Sequence, residues 1–227
     1  MKLRGCSEGD LVNVEADLRN ANIEYHDPDS KAVASYTYRD EDGKLRKRVQ
    51  RFIDNETSKK KFVQWRPGAN GTRLYDNCPT MLYNLERFVS AGILCITEGE
   101  KDADTITRLK LMGASGLPDV VATTSGGAAT WQDDFADKLK DKRVIILPDA
   151  DDEGAKYAAA IAASLQARGI EYRQVDFANE GVKDVSDYLA AGFSIQSLVT
   201  KLGEDWILFP DESRAQREDK DFVSEPI

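Results

Sequence analysis

The sequence predicts an α/β protein: a mostly parallel sheet flanked by helices, preceded by a smaller, basic α+β subdomain. Three observations lead there. From Gly92 onward, short apolar runs alternate with stretches of helical spacing, the pattern of parallel strands joined by crossover helices. Before Gly92 the pattern is that of a hairpin and a further strand. Two of the apolar runs end in acidic clusters, Glu98-Gly99-Glu100-Lys101-Asp102 and Asp149-Ala150-Asp151-Asp152-Glu153-Gly154, and open α/β sheets bind ligands at the carboxyl ends of their strands.

In chain order, residues 8–22 read as a helix with Leu11, Val14 and Leu18 on one face and Ser7 as N-cap. Residues 33–39 and 45–53 form a hairpin around the turn signal Glu41-Asp42-Gly43-Lys44. In its second arm Leu45, Val49 and Ile53 share a face with Lys47 and Arg51, and Arg46, Arg48, Gln50 and Phe52 share the other. A third strand at 61–65 is broken by Arg66-Pro67-Gly68-Ala69-Asn70-Gly71, and 80–89 has helical spacing through Met81, Leu85 and Phe88. Then come strand 93–97, helix 103–112, strand 119–123, a Ser125-Gly126-Gly127 loop with a helix at 131–139, and strand 143–147. Helix 154–168, strand 171–177 and helices at 185–190 and 195–202 complete the pattern. The expected domains are 1–90 (basic, α+β), 91–203 (the alternating unit) and an acidic, flexible tail at 204–227.

At 227 residues, 41% apolar and 31% charged, the chain suits one or two globular domains. No apolar run approaches a membrane span, and Met1-Lys2-Leu3-Arg4 leads into no signal-like segment, so a cytoplasmic, membrane-free protein is expected. Cys6, Cys78 and Cys95 form no CxxC pair, which argues against a disulfide framework and against zinc. His26 is the single histidine, which disfavours a Ser-His-Asp triad or a histidine-bound zinc hydrolase. Chemistry is left to carboxylates, lysines, arginines and hard metal ions. The net charge is −9, yet residues 39–73 hold eleven basic side chains against five acidic ones, an asymmetry that suits a nucleic-acid surface.

Asp149 and Asp151 are two residues apart, so in extended chain their carboxylates point the same way. Oxygen donors of this kind suit Mg²⁺, and Gly154 begins a helix whose N-terminus suits phosphate. Acids also favour the first turn of a helix, so this motif alone leaves capping and metal binding both open. Glu98 alone could be a surface turn. Asp184, in Lys183-Asp184-Val185-Ser186-Asp187, supplies a third acidic cluster on the same alternating frame, and three in order argue for a common site.

That order resembles the TOPRIM domain, Rossmann-like in fold and shared by DnaG-type primases, phage primase-helicases, type IA and type II topoisomerases, OLD-family nucleases and RecR-like proteins. The resemblance spans roughly residues 92–202. It implies that Glu98 acts as general acid/base or metal ligand, and that Asp149 and Asp151 hold metal. It further implies Asp102 as an additional acid, Asp184 as an outer ligand, and the Ser125-Gly126-Gly127-Ala128 loop near bound nucleotide. Upstream, Val33–Leu45, Val49-Gln50-Arg51-Phe52, Lys61-Phe62 and Arg66-Pro67 are similar to the segment before TOPRIM in phage and prophage primases, which faces template and nucleotides. On that footing Arg46, Lys47, Arg48, Arg51, Lys60, Lys61, Arg66, Lys101 and Lys183 are expected to bind nucleic acid or nucleotide. Tyr36, Tyr38, Phe52 and Trp65 either stack on bases or fill the sheet core. The implied activity is a primase-like nucleotidyltransferase that uses Mg²⁺ or Mn²⁺ to make short primers from NTPs on single-stranded DNA. It would serve phage or mobile-element replication beside a helicase or other replication protein. A TOPRIM nuclease and a non-catalytic binding module are the alternatives. The chain shows no zinc ribbon and no P-loop, leaving open a stand-alone core, a fragment, or a module that needs a partner.

Overall fold

A computed structural model describes residues 32–53, 57–114 and 120–208. Cys6, the helix expected at 8–22, His26 and the tail beyond 208 lie outside the described residues. The chain divides into two units, Met1–Met81 and Leu82–Ile227.

The first unit carries an antiparallel sheet in sequence order: β1 (Ala34–Arg39), β2 (Leu45–Ile53), β3 (Lys60–Pro67) and β4 (Arg73–Leu74). The β1–β2 turn closes with Asp40 N donating to Lys44 O at 3.0 Å and Lys44 N to Asp40 Oδ1 at 2.9 Å. Gly43 has φ +76, a conformation glycine reaches without strain. Cross-strand register puts Tyr36 opposite Val49 and Arg48 opposite Trp65. Tyr36, Tyr38, Val49 and Trp65 are buried, so these three aromatics pack into the sheet core. Lys47 and Arg48, both expected to contact nucleic acid, are buried too and pack beside aromatic rings. The Lys47 Nζ lies 4.3 Å from the Tyr38 ring centre and the Arg48 guanidinium 5.6 Å from that of Trp65. A long aliphatic stem and a cation over a ring make such burial tolerable.

The second unit runs β5 (Ile93–Thr97), α1 (Glu100–Arg108), β6 (Met112–Gly113), β7 (Val120–Thr123), β8 (Arg143–Leu147), α2 (Asp152–Ala167), β9 (Tyr172–Gln174), α3 (Val185–Ala190), α4 (Ile195–Leu202) and β10 (Ile207–Leu208). Its main sheet is wholly parallel, in the order β7-β5-β8-β9. Strands β5 and β7 are buried throughout, and β8 is buried beyond Arg143, as expected when helices cover both faces. From β5 the chain steps to β7 on one side; from β8 it steps to β9 on the other. Right-handed crossovers in opposite directions put α1 and α2 on opposite faces.

Several expected elements differ. Residues 80–89 are not a helix: only Leu85–Arg87 makes a 3₁₀ turn, after Asn84 in the left-handed region. Leu82, Tyr83, Leu85 and Phe88 are buried, so the apolar spacing marks an irregular segment pressed on the core. Helix α1 spans Glu100–Arg108, earlier at both ends than the expected 103–112. Lys110 then takes φ +48, and Met112–Gly113 pairs antiparallel with β10. The helix expected at 131–139 is a 3₁₀ segment, Asp133–Leu139, and the strand expected at 171–177 is Tyr172–Gln174. Residues 204–208, expected in the tail, pack within the second unit. Trp206 and Ile207 are buried, with the Arg143 and Arg173 guanidiniums 5.2 and 4.1 Å from the Trp206 ring centre. No helix among the described residues is long and apolar enough to cross a membrane.

Candidate metal centre

The reversal of strand order falls between β5 and β8, and crevices at such points are where open α/β sheets hold ligands. Thr97 ends β5 opposite Leu147, which ends β8. Glu98 is therefore one residue past the first strand, and Asp149 two past the second. Asp151 caps α2, its Oδ1 accepting from Gly154 N at 2.9 Å. Gly154 is required here by a close approach: a Cβ at this position would overlap the Asp149 carbonyl.

The loop before α3 is sewn to this turn. Ala150 N donates to Lys183 O at 2.7 Å. Asp184 caps α3, accepting from Asp187 N at 2.7 Å. Asp102, buried in the first turn of α1, accepts from the Ser186 backbone N–H at 3.2 Å and from the Ser186 hydroxyl through a very short bond. Helices α1 and α3 thereby bring Asp102 and Asp184 to Asp149, and ligand oxygens of the three lie within 4.8 Å of one another.

The electrostatics follow from burial and crowding. Burial, then the charges of Asp149 and Asp151, push Glu98 up to about 7. Burial raises Asp102 to about 6, even though the Ser186 hydrogen bond favours its anion. Asp149 is also raised, because its burial outweighs the Lys183 ammonium. Asp151 is exposed and goes down, held by the Gly154 N–H and then by Lys183. Lys183 is raised by hydrogen bonds to both aspartates. Like charges some 5 Å apart repel by about 3 kcal/mol at an effective dielectric of 20, so the cluster favours a cation. The donor set fits a hard divalent ion: carboxylate oxygens only, with Glu98 Oε2 buried beside them and lacking a hydrogen-bond partner.

Of the acids picked out by sequence, Asp102, expected as an additional acid, and Asp184, expected as an outer ligand, form a close group with Asp149. Asp151, expected as a principal ligand, faces Lys183 and the α2 N-terminus. Sequence reasoning missed Ser186, which seats Asp102, and Thr124, whose hydroxyl donates to Glu98 O at 2.7 Å. It also missed Tyr157, whose hydroxyl joins Ser125 Oγ at 3.0 Å to Thr97 O at 3.3 Å. A Thr-Thr-Ser run closing an apolar strand was the available signal.

The expected cations divide. Arg46, Lys60 and Lys61 are exposed, Arg46 standing 3.7 Å from Asp40. Arg51 is half-buried, and Arg66 is held by Asp76, with its Nε donating to the backbone carbonyl at 2.8 Å. Register puts Lys47, Arg51, Lys60 and Arg66 on one face of the first sheet and Arg46, Arg48 and Lys61 on the other. Lys101 lies 3.7 Å from both Asp184 and Asp187, and Lys183 bridges Asp149 and Asp151.

With this geometry in hand, likeness to known proteins is informative. Residues 95–189 match the Toprim-like family, and this segment contains Glu98, Asp102, Asp149, Asp151 and Asp184. No curated protein sequence matches the chain. Among solved structures, the chain resembles the primase fragment of the bacteriophage T7 primase-helicase protein: 18% identity, 74% of this chain, 62% of that one, TM-score 0.53. A DNA primase domain from Pseudomonas aeruginosa matches at 16% identity over 87% of this chain and 60% of the other, TM-score 0.53. The E. coli primase catalytic core matches at 16% over 86% and 61%, TM-score 0.53. What is shared at such identities is the fold. The chain spans about three fifths of the length of these three primase chains.

Proposed function

We propose that this chain is a primase-like nucleotidyltransferase, dependent on Mg²⁺ or Mn²⁺, that makes short primers from NTPs on single-stranded DNA. The observation that carries the reading is the convergence of Asp102, Asp149 and Asp184, with Glu98 beside them, at the switch point of a Toprim-like sheet. The fold shared with primase cores supports it, as do the exposed cations Arg46, Lys60 and Lys61 of the basic sheet.

Asp102, Asp149 and Asp184 would hold the metal, with Asp151 and Glu98 as further oxygen donors. Bound divalent cations would activate the primer 3′-hydroxyl and offset charge on the triphosphate. Glu98 Oε2, buried and without a partner, suits the uptake of the proton that the hydroxyl gives up. Ser186 holds Asp102 in place, and Thr124 fixes the backbone of Glu98, so neither acid has to reorganise during the reaction. Lys101 and Lys183, both exposed at the acidic cluster, are suited to triphosphate oxygens. Replication-fork partners, a helicase among them, belong to the same proposal.

The test is incubation with single-stranded DNA, labelled NTPs and Mg²⁺ or Mn²⁺. Short products should form, and Asp149→Asn should reduce their rate by roughly a thousandfold or more, the equivalent of several kcal/mol of transition-state stabilisation. DNA cleavage without synthesis would replace this reading with a nuclease. Unchanged activity of the parent replication system with Asp149→Asn would leave a binding module.

A further inference from the structure

Lys183 reaches from the loop before α3 into the acidic turn, where its Nζ lies 2.9 Å from Asp149 Oδ2 and 3.1 Å from Asp151 Oδ2. An ammonium between two carboxylate oxygens stands where a hard cation would stand. Asp149 also belongs to the Asp102–Asp149–Asp184 group. There the neighbouring amine, Lys101, stays 3.7 Å from Asp184. Asp149 is thus shared by two cation positions, one of which holds an amine belonging to the protein itself.

We propose that Lys183 is a displaceable counter-ion: its ammonium keeps the Asp149–Asp151 position closed to a divalent cation until a triphosphate draws it away. On this view the Asp102–Asp149–Asp184 position loads first and alone. The inference rests on the reading of these carboxylates as metal ligands. Two features of the loop support it. The Lys183 backbone is fixed by the Ala150 N–H at 2.7 Å, so the ammonium cannot leave the neighbourhood. Its side chain is 53% exposed, so the four-carbon stem is free to swing. A dication and an ammonium at hydrogen-bond distance from the same oxygens repel, so the two occupants exclude each other. Phosphate oxygens offer the released ammonium an equivalent set of acceptors.

Mn²⁺ counting by electron paramagnetic resonance on the full chain tests this, with and without a non-hydrolysable NTP analogue. The wild type should bind one Mn²⁺ alone and two with the analogue. Lys183→Met should bind two without it, the second at least about tenfold tighter than in the wild type, because the repulsion of an ammonium at the same oxygens is gone. Lys183→Arg should behave as the wild type. Equal Mn²⁺ stoichiometry in Lys183→Met and wild type, or weaker binding in Lys183→Met, overturns the counter-ion role. Asp149→Asn separates the two claims: if it binds Mn²⁺ as the wild type does, the ligand assignment itself falls. If it loses binding while Lys183→Met changes nothing, only the counter-ion role falls.

Discussion

The two sheets of this chain treat charge in opposite ways. In the antiparallel sheet, Lys47 and Arg48 sit mid-strand and are buried, each over an aromatic ring. In the parallel sheet, β5 and β7 contain no charged residue, β8 has only Arg143 at its start, and the acids gather one and two residues past the strand ends. Strands covered on both faces by helices leave an ionised group no place except beyond the last residue. An antiparallel strand flanked by aromatics can bury a cation's stem and park its head on a π-face. One arrangement spends charge on packing; the other concentrates it where a ligand can reach.

Three tests sharpen or break that contrast. The largest effect belongs to the first sheet. Trp65→Ala removes the ring under Arg48 and Arg73 and the Nε1 bond to Gln50 at 3.1 Å, and should cost about 3–5 kcal/mol in a urea titration. Phe62→Ala, on the same strand but half exposed, should stay within about 0.5 kcal/mol. Similar losses from both would mean that the buried cations are not supported by the aromatics.

Gly154→Ala comes next. In an exposed helix interior the exchange gains roughly 1 kcal/mol. Here the added methyl meets the Asp149 carbonyl, so thermal unfolding should show a loss of about 1–3 kcal/mol, together with weaker Mn²⁺ binding. A stabilised variant with intact binding would show that the acidic turn is not pinned by the helix.

The smallest effect is a pH dependence. Glu98 is raised from its usual 4.5 to about 7, so its unfolded form gives up its proton first as pH rises. The metal-free fold then loses stability from about pH 4.5 through pH 7, with a constant penalty above. Glu98→Gln should stabilise the metal-free protein at pH 8 and leave it unchanged at pH 4. A benefit that is flat across this range would place the cause elsewhere.

The parallel strands were legible because four consecutive apolar residues, 93–96 and 144–147, running into an acidic turn leave little else to be. Ile93–Thr97 and Arg143–Leu147 were read to the residue, as were Val185–Ala190 and Ile195–Leu202. Residues 80–89 misled because apolar spacing reports burial, and Asn84 in the left-handed region breaks the helix from within. Lys47 and Arg48 misled because a period of two separates core from solvent only when one face is wet. Within the site, each acid was visible, but which three converge was not. That depends on Ser186 seating Asp102 across 84 residues of chain, a contact without any local signature.

The pairing of β5 with β8 also acts as a gauge. Neighbouring strands stand about 4.8 Å apart, close to the roughly 3.5–4 Å between the metals of two-metal phosphoryl-transfer sites. With Thr97 locked opposite Leu147, the spacing of the acids behind them is set by backbone hydrogen bonds rather than by loop length. Loop residues away from the cluster, such as 126–129 and 178–181, can therefore vary while the gauge stays constant. A single residue inserted within β8 would put it out.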